Sequence, residues 1–114
     1  MRFTSGTVGV ARGTAMLFSA CEDGGEMWTG DGQRVVRQAV TFDEPFQNPP
    51  VVHVAMSMWD FASASNQRAD IIADRVTGSG FEIVFRTWGD TRIARARAEW
   101  LAIGPIANED DFRL

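Results

Sequence analysis

Residues 92–103 alternate without a break. Ala94, Ala96, Ala98, Trp100 and Ala102 fall on one side, and Arg95, Arg97 and Glu99 on the other. A period of two belongs to a β-strand with one face buried, whereas a helix repeats every 3.6 residues. The alanine row adds a second constraint. Small side chains on an inner face let an opposing sheet approach closely, and Trp100 then fills the end of that core. The segment therefore predicts a strand in a two-layer packing, with an arginine face that is either solvated or meets another subunit.

The rest of the chain repeats the pattern. Arg34–Phe42 places Val36, Val40 and Phe42 on one side and Arg37 and Thr41 on the other. Val51–Trp59, Arg68–Val76 and Phe81–Trp88 read as further strands, punctuated by Pro49-Pro50, a polar loop at 60–67, Gly78-Ser79-Gly80 and Gly89-Asp90. Thr7–Ala11 and Ala15–Ser19, separated by Arg12-Gly13-Thr14, form either a hairpin or one interrupted strand. No window carries a helical apolar set over three turns, so no helix is expected. The prediction is an all-β, six-stranded antiparallel β-sandwich in one domain of 114 residues. Residues 1–33 supply N-terminal strands and a Gly-rich loop of that domain, 34–104 its core, and 105–114 an acidic tail.

Composition narrows the function. The net charge is −4, and all 11 basic residues are arginine. An acidic domain lacks the basic stripe that nucleic acid needs, so no nucleic-acid partner is expected. No apolar run reaches the ~20 residues of a membrane-spanning helix, so no membrane insertion is expected either. The first residues lack the apolar stretch of a signal peptide. The expected location is therefore cytoplasmic at synthesis, with release or incorporation into a particle as the routes outward. Cys21 is the one cysteine and allows no intrachain disulfide. It reads as a small buried residue.

Catalysis finds little support. His53 is the one histidine and sits inside an alternating strand, which suits packing or hydrogen bonding. There is no zinc set, P-loop or nucleophile elbow. The carboxylate pairs Asp43/Glu44 and Asp110/Asp111 sit in a turn and in the tail. A non-enzyme without metal or cofactor is expected.

Binding signals are better placed. Trp88 ends a strand before Gly89-Asp90; it either caps the core or offers its ring face to the C–H groups of a sugar. Arg68 follows Asn66-Gln67 and either faces solvent or donates paired hydrogen bonds to hydroxyls. Asp31, in Thr29-Gly30-Asp31-Gly32, is either a turn residue or an acceptor for hydroxyls.

These residues join a longer pattern. Val40-Thr41-Phe42, Pro45-Phe46 and Pro49-Pro50-Val51-Val52 are followed by Asp60, Asn66-Gln67-Arg68 and Thr77. Gly80-Phe81, Thr87-Trp88 and Trp100-Leu101-Ala102-Ile103 complete it. The whole tract, from about Asp31 to Gly104, resembles the H-type lectin domain of snail agglutinins and of the C-terminal domain of slime-mould discoidins. The resemblance implies a sandwich assembled as a trimer, sometimes stacked into a hexamer. It implies metal-free sites for galactose-type sugars, commonly N-acetylgalactosamine, between neighbouring subunits. The family's sugar-contacting acid falls on Asp31, its arginine on Arg68, its tryptophan on Trp88 and its loop backbone on Thr29 and Gly30. Snail agglutinins carry a histidine after the tryptophan; Gly89 stands there in this chain and leaves sugar identity open.

Two readings follow. One is a lectin that binds glycans as a trimer. The other is a spike or fibre component of a phage-like particle that contacts surface polysaccharide among other particle proteins. A glycosidase would need a carboxylate pair flanking a cleft, and Asp31 has no evident partner carboxylate.

Overall fold

The computed structural model describes residues 2, 6–20 and 24–107. Cys21 and the acidic run at 108–111 lie outside the described residues. Six strands form two antiparallel three-stranded sheets. β1 (Thr7–Ser19), β6 (Ile93–Ile106) and β3 (Val51–Phe61) make one, with β6 central; β2 (Arg34–Thr41), β5 (Gly80–Thr87) and β4 (Asp70–Asp74) make the other, with β5 central.

Arg12-Gly13-Thr14 does not interrupt β1. Its pairing with β6 runs through these residues, with Gly13 opposite Trp100. The glycine is needed for its lack of a side chain: a Cβ there would stand 2.7 Å from the Trp100 ring. Trp100 can therefore lean across β1 and pack against Phe42 and Phe81, with ring centroids 5.7 and 5.4 Å away.

The alanine row faces inward as its period requires. Ala96, Ala98 and Ala102 are fully buried, as are Ile83 and Phe85 of the opposing central strand. Small residues on β6 leave room for large ones from β5 in the same core cluster. Full burial of each large side chain contributes about 1.5–3 kcal/mol.

One described helix departs from the all-strand expectation. Glu26–Thr29 forms a single turn, α1, inside the Gly-rich loop. A four-residue turn is too short to show apolar periodicity; it is anchored by Met27, buried in the core, with Trp28 packed beside it.

The two outer faces differ. On the β2-β5-β4 sheet, Arg37 bridges Asp74 (3.3 Å) and Glu82 (3.0 Å), and Arg75 also reaches Glu82 (3.3 Å). These charges largely satisfy one another. On the β1-β6-β3 sheet, Val8, Val10, Val51 and Leu101 are exposed, Val10 by 66%. Among the described residues, Arg12, Arg97 and Glu99 on that face make no ion pair, although Arg97 donates to Ser57 Oγ at 3.0 Å.

Candidate functional site

The site end of the sandwich is where β2 begins and β5 ends. Its organiser is Arg34, the first residue of β2 and only 5% exposed. Its guanidinium donates to backbone carbonyls alone. Nε reaches Gly32 O (3.0 Å), Nη1 reaches Glu26 O and Met27 O (both 3.3 Å), and Nη2 reaches Gly89 O (3.1 Å). A planar fork with five donors suits such a set, and the α1 carbonyls at the end of a helical turn are natural acceptors. Gly32 N also donates to Gly89 O at 3.0 Å. The loop carrying Asp31 is thereby clamped to the turn carrying Trp88 and Gly89, though the two lie far apart in sequence.

The predicted residues can be placed one by one. The Thr29 hydroxyl is engaged within the loop, at 3.2 Å from Gly24 O and 3.1 Å from Gly25 O. Gly30 has no room for a side chain, because a Cβ would collide with the Glu26 carbonyl. Asp31 is exposed beside Gly32, whose positive φ of 73° makes the turn. Trp88 is 43% exposed, so it does not cap the core.

Arg68 lies two residues before β4 rather than opening it. Its backbone is fixed on both sides: its N–H donates to Thr91 Oγ1 (3.2 Å) and its carbonyl accepts from Thr87 Oγ1 (2.6 Å). Both threonines are buried. The guanidinium lies over Gly89, where a Cβ would stand 3.0 Å from Nη1. Nη1 also donates to Asp90 Oδ1 at 2.6 Å, and the Asn66 side-chain amide donates to the same carboxylate at 3.3 Å. The Arg68 hydrogen bond, aided by the Asn66 backbone amide, holds the Asp90 carboxyl below its ordinary range. Arg68 thus lies against the Trp88-Gly89-Asp90 turn, and the Asp31 loop is bound to the same turn.

Arg34, Asp90, Asn66, Thr87 and Thr91 support the site without standing out as site residues in the sequence. A signal exists for Arg34, because it shares the parity of Val36, Val40 and Phe42 and therefore points inward. A charged residue in an inward phase requires buried partners. Asp90-Thr91 carries only a turn signal. His53 lies exposed on the outer face of β3. Among the described residues, no group of three or more His, Cys, Asp or Glu side chains could hold a metal ion.

A family model described as the H-type lectin domain matches residues 37–103. The chain belongs to the H-type lectin domain family. The match includes Arg68, Trp88 and Gly89 but stops short of Asp31 and Arg34, so the Arg34 clamp is what joins the unmatched loop to the lectin core. The chain is 54% identical over 108 residues to "ATP synthase subunits region ORF 7" of Fuscovulum blasticum, covering 95% of this chain and 94% of that protein. It is 33% identical over 75 residues to a discoidin-1 polypeptide of Dictyostelium discoideum, covering 65% of this chain and 30% of that one. Recombinant discoidin II of the same organism shares the fold, with a TM-score of 0.76 at 19% identity over 91% of this chain and 40% of the other. The tailspike protein gp49 of Pseudomonas phage LKA1 gives a TM-score of 0.53 at 18% identity, over 89% of this chain and 15% of the tailspike. The region of likeness is thus a fraction of the longer discoidin and tailspike chains.

Proposed function

We propose that this chain is a lectin subunit that binds galactose-type sugars without metal, using Asp31, Arg68 and Trp88 with the backbone of Thr29, Gly30 and Gly89. The observation that supports the reading is the clamp of Arg34 and Gly32 on the Gly89 carbonyl, which ties the loop that carries Asp31 to the turn that carries Trp88, the turn over which Arg68 lies. The chemistry suits a sugar. An indole face packs against C–H groups, while the carboxylate accepts and the guanidinium donates hydrogen bonds to neighbouring hydroxyls. The site is shallow, and one such site binds weakly. A trimer, or a hexamer of stacked trimers, raises avidity through effective concentration and can complete each site with a neighbour's residues.

The β1-β6-β3 outer face suits the contact between copies. It combines exposed valines with Arg12, Arg97 and Glu99, which a second copy can pair. The opposite sheet already satisfies most of its charges. Arg97→Glu should shift light-scattering mass from trimer toward monomer; an unchanged trimer rejects this assignment.

Titration calorimetry of the native oligomer with galactose and N-acetylgalactosamine tests the binding reading. Binding should persist in EDTA and fall with Arg68→Ala. Failure to bind any sugar on a broad glycan array rejects it.

The tailspike likeness favours a second reading of the same pocket, as part of a particle that contacts surface polysaccharide. Co-sedimentation of the native protein with particles distinguishes this from a free lectin.

A further inference from the structure

Next to Trp88, on the outer face of the β2-β5-β4 sheet, lies a groove of about 420 Å³ lined by Gln33, Arg34, Val35, Arg86, Thr87 and Trp88. The register explains its shape. Val35 pairs with Arg86, and Gln33 and Trp88 stand one step beyond the Arg34–Thr87 pair. Side chains two apart on a strand share a face, so Gln33, Val35, Arg86 and Trp88 form one outward patch. It presents an indole, an amide, an exposed valine and a guanidinium.

Arg86 differs from Arg37 on the same face. Arg37 is held by two carboxylates, at 3.3 and 3.0 Å. Arg86 has a single long contact, from Nη1 to Asp70 at 3.9 Å, with both side chains about half exposed. Such a pair is weak in water and leaves the other edge of the guanidinium open. An open guanidinium edge beside an exposed indole suits a planar carboxylate on a sugar ring.

We propose that the Gln33–Val35–Arg86 groove is a second subsite, taking a carboxylate-bearing sugar attached to the galactose-type residue bound at Asp31, Arg68 and Trp88. The inference rests on the lectin reading above. Trp88 is the shared wall: the first sugar meets it at the Arg68 side and the second at the Arg86 side. The preferred ligand is then an acidic oligosaccharide, despite the net negative charge of the chain.

The test compares two disaccharides with a terminal galactose, one with glucuronate as second residue and one in which that carboxyl is reduced to give glucose. The wild-type oligomer should bind the acidic form about five- to tenfold more tightly, the scale of one charge-assisted hydrogen-bonded pair near water, and added salt should shrink the gap. Arg86→Gln should remove the preference and leave binding of galactose alone unchanged. Arg86→Glu should invert it. Equal binding of both forms by the wild type, or a preference that survives R86Q, overturns the second subsite alone. Absence of binding to either disaccharide and to galactose overturns the lectin reading, and the subsite with it.

Discussion

The guanidinium of Arg68 and the carboxylate of Asp90 meet at 2.6 Å, directly beside Gly89. Asp90 is one residue past the glycine and Arg68 lies across it, so the carboxylate sets where the guanidinium rests. The pair is solvated and adds little to folding stability. Its effect is positional. Asp90→Asn should weaken galactose-type binding about three- to tenfold while leaving the urea midpoint unchanged. Equal losses of affinity and stability in calorimetry and urea titration would show a structural role instead.

The same pair should impose an acid limit on the proposed sugar binding. Asp90 titrates below its ordinary value of 3.8, because Arg68 favours the charged form. Protonation removes the charged acceptor that holds Arg68, so the pair keeps its geometry above this depressed pKa and loses it as pH falls through it. Affinity attributable to this pair should therefore be flat from pH 8 to about 5 and fall only below about 4. Calorimetry across that range checks it, and a step near neutrality contradicts it.

Arg34 is a stability residue that also shapes the site. Arg34→Met retains an apolar stem but leaves four carbonyl contacts without their donor. The expected cost is about 2–5 kcal/mol, read as a lower urea midpoint. Exchange of the Gly32 amide, which shares the Gly89 acceptor, should quicken more than that of the β5–β6 core.

Trp88 should behave in the opposite way. Trp88 lies at the surface, 43% exposed and outside the buried core, so Trp88→Ala should leave the melting temperature within about 2 °C, the range of an ordinary surface change. Sugar affinity should drop at least about tenfold if the ring stacks on the ligand. Loss of tryptophan fluorescence change on sugar addition provides an independent readout.

Much of the sandwich was legible because strand alternation is a local signal. The β6 pattern gave its own inner face, and Phe81, Ile83 and Phe85 gave that of β5. The unity of β1 was not legible. Arg12-Gly13-Thr14 looks like a break until the Trp100 ring is seen to fill the space that a side chain at Gly13 would occupy. Arg68, Trp88 and Asp31 stand out as candidates by their chemistry and by resemblance. Their support was less legible: the inward phase marks Arg34 as needing buried partners but not which carbonyls they are, and Asp90, Thr87 and Thr91 reach Arg68 only through the fold. The α1 turn escaped for a related reason: it is held by Met27 and by the Arg34 contacts, not by helical propensity.

Arg34 grips its loop solely through oxygen atoms that every amino acid possesses. Side chains between Gly24 and Gln33 can therefore be exchanged without dismantling the grip, provided that Met27 stays in the core, Gly30 stays bare and Gly32 keeps its turn. The loop is a socket with interchangeable fittings: ligand choice can drift by substitution around Asp31 while the scaffold remains the same. A library randomised at positions 29, 31 and 33 should accordingly yield folded proteins at high frequency, with altered sugar choice scattered among them.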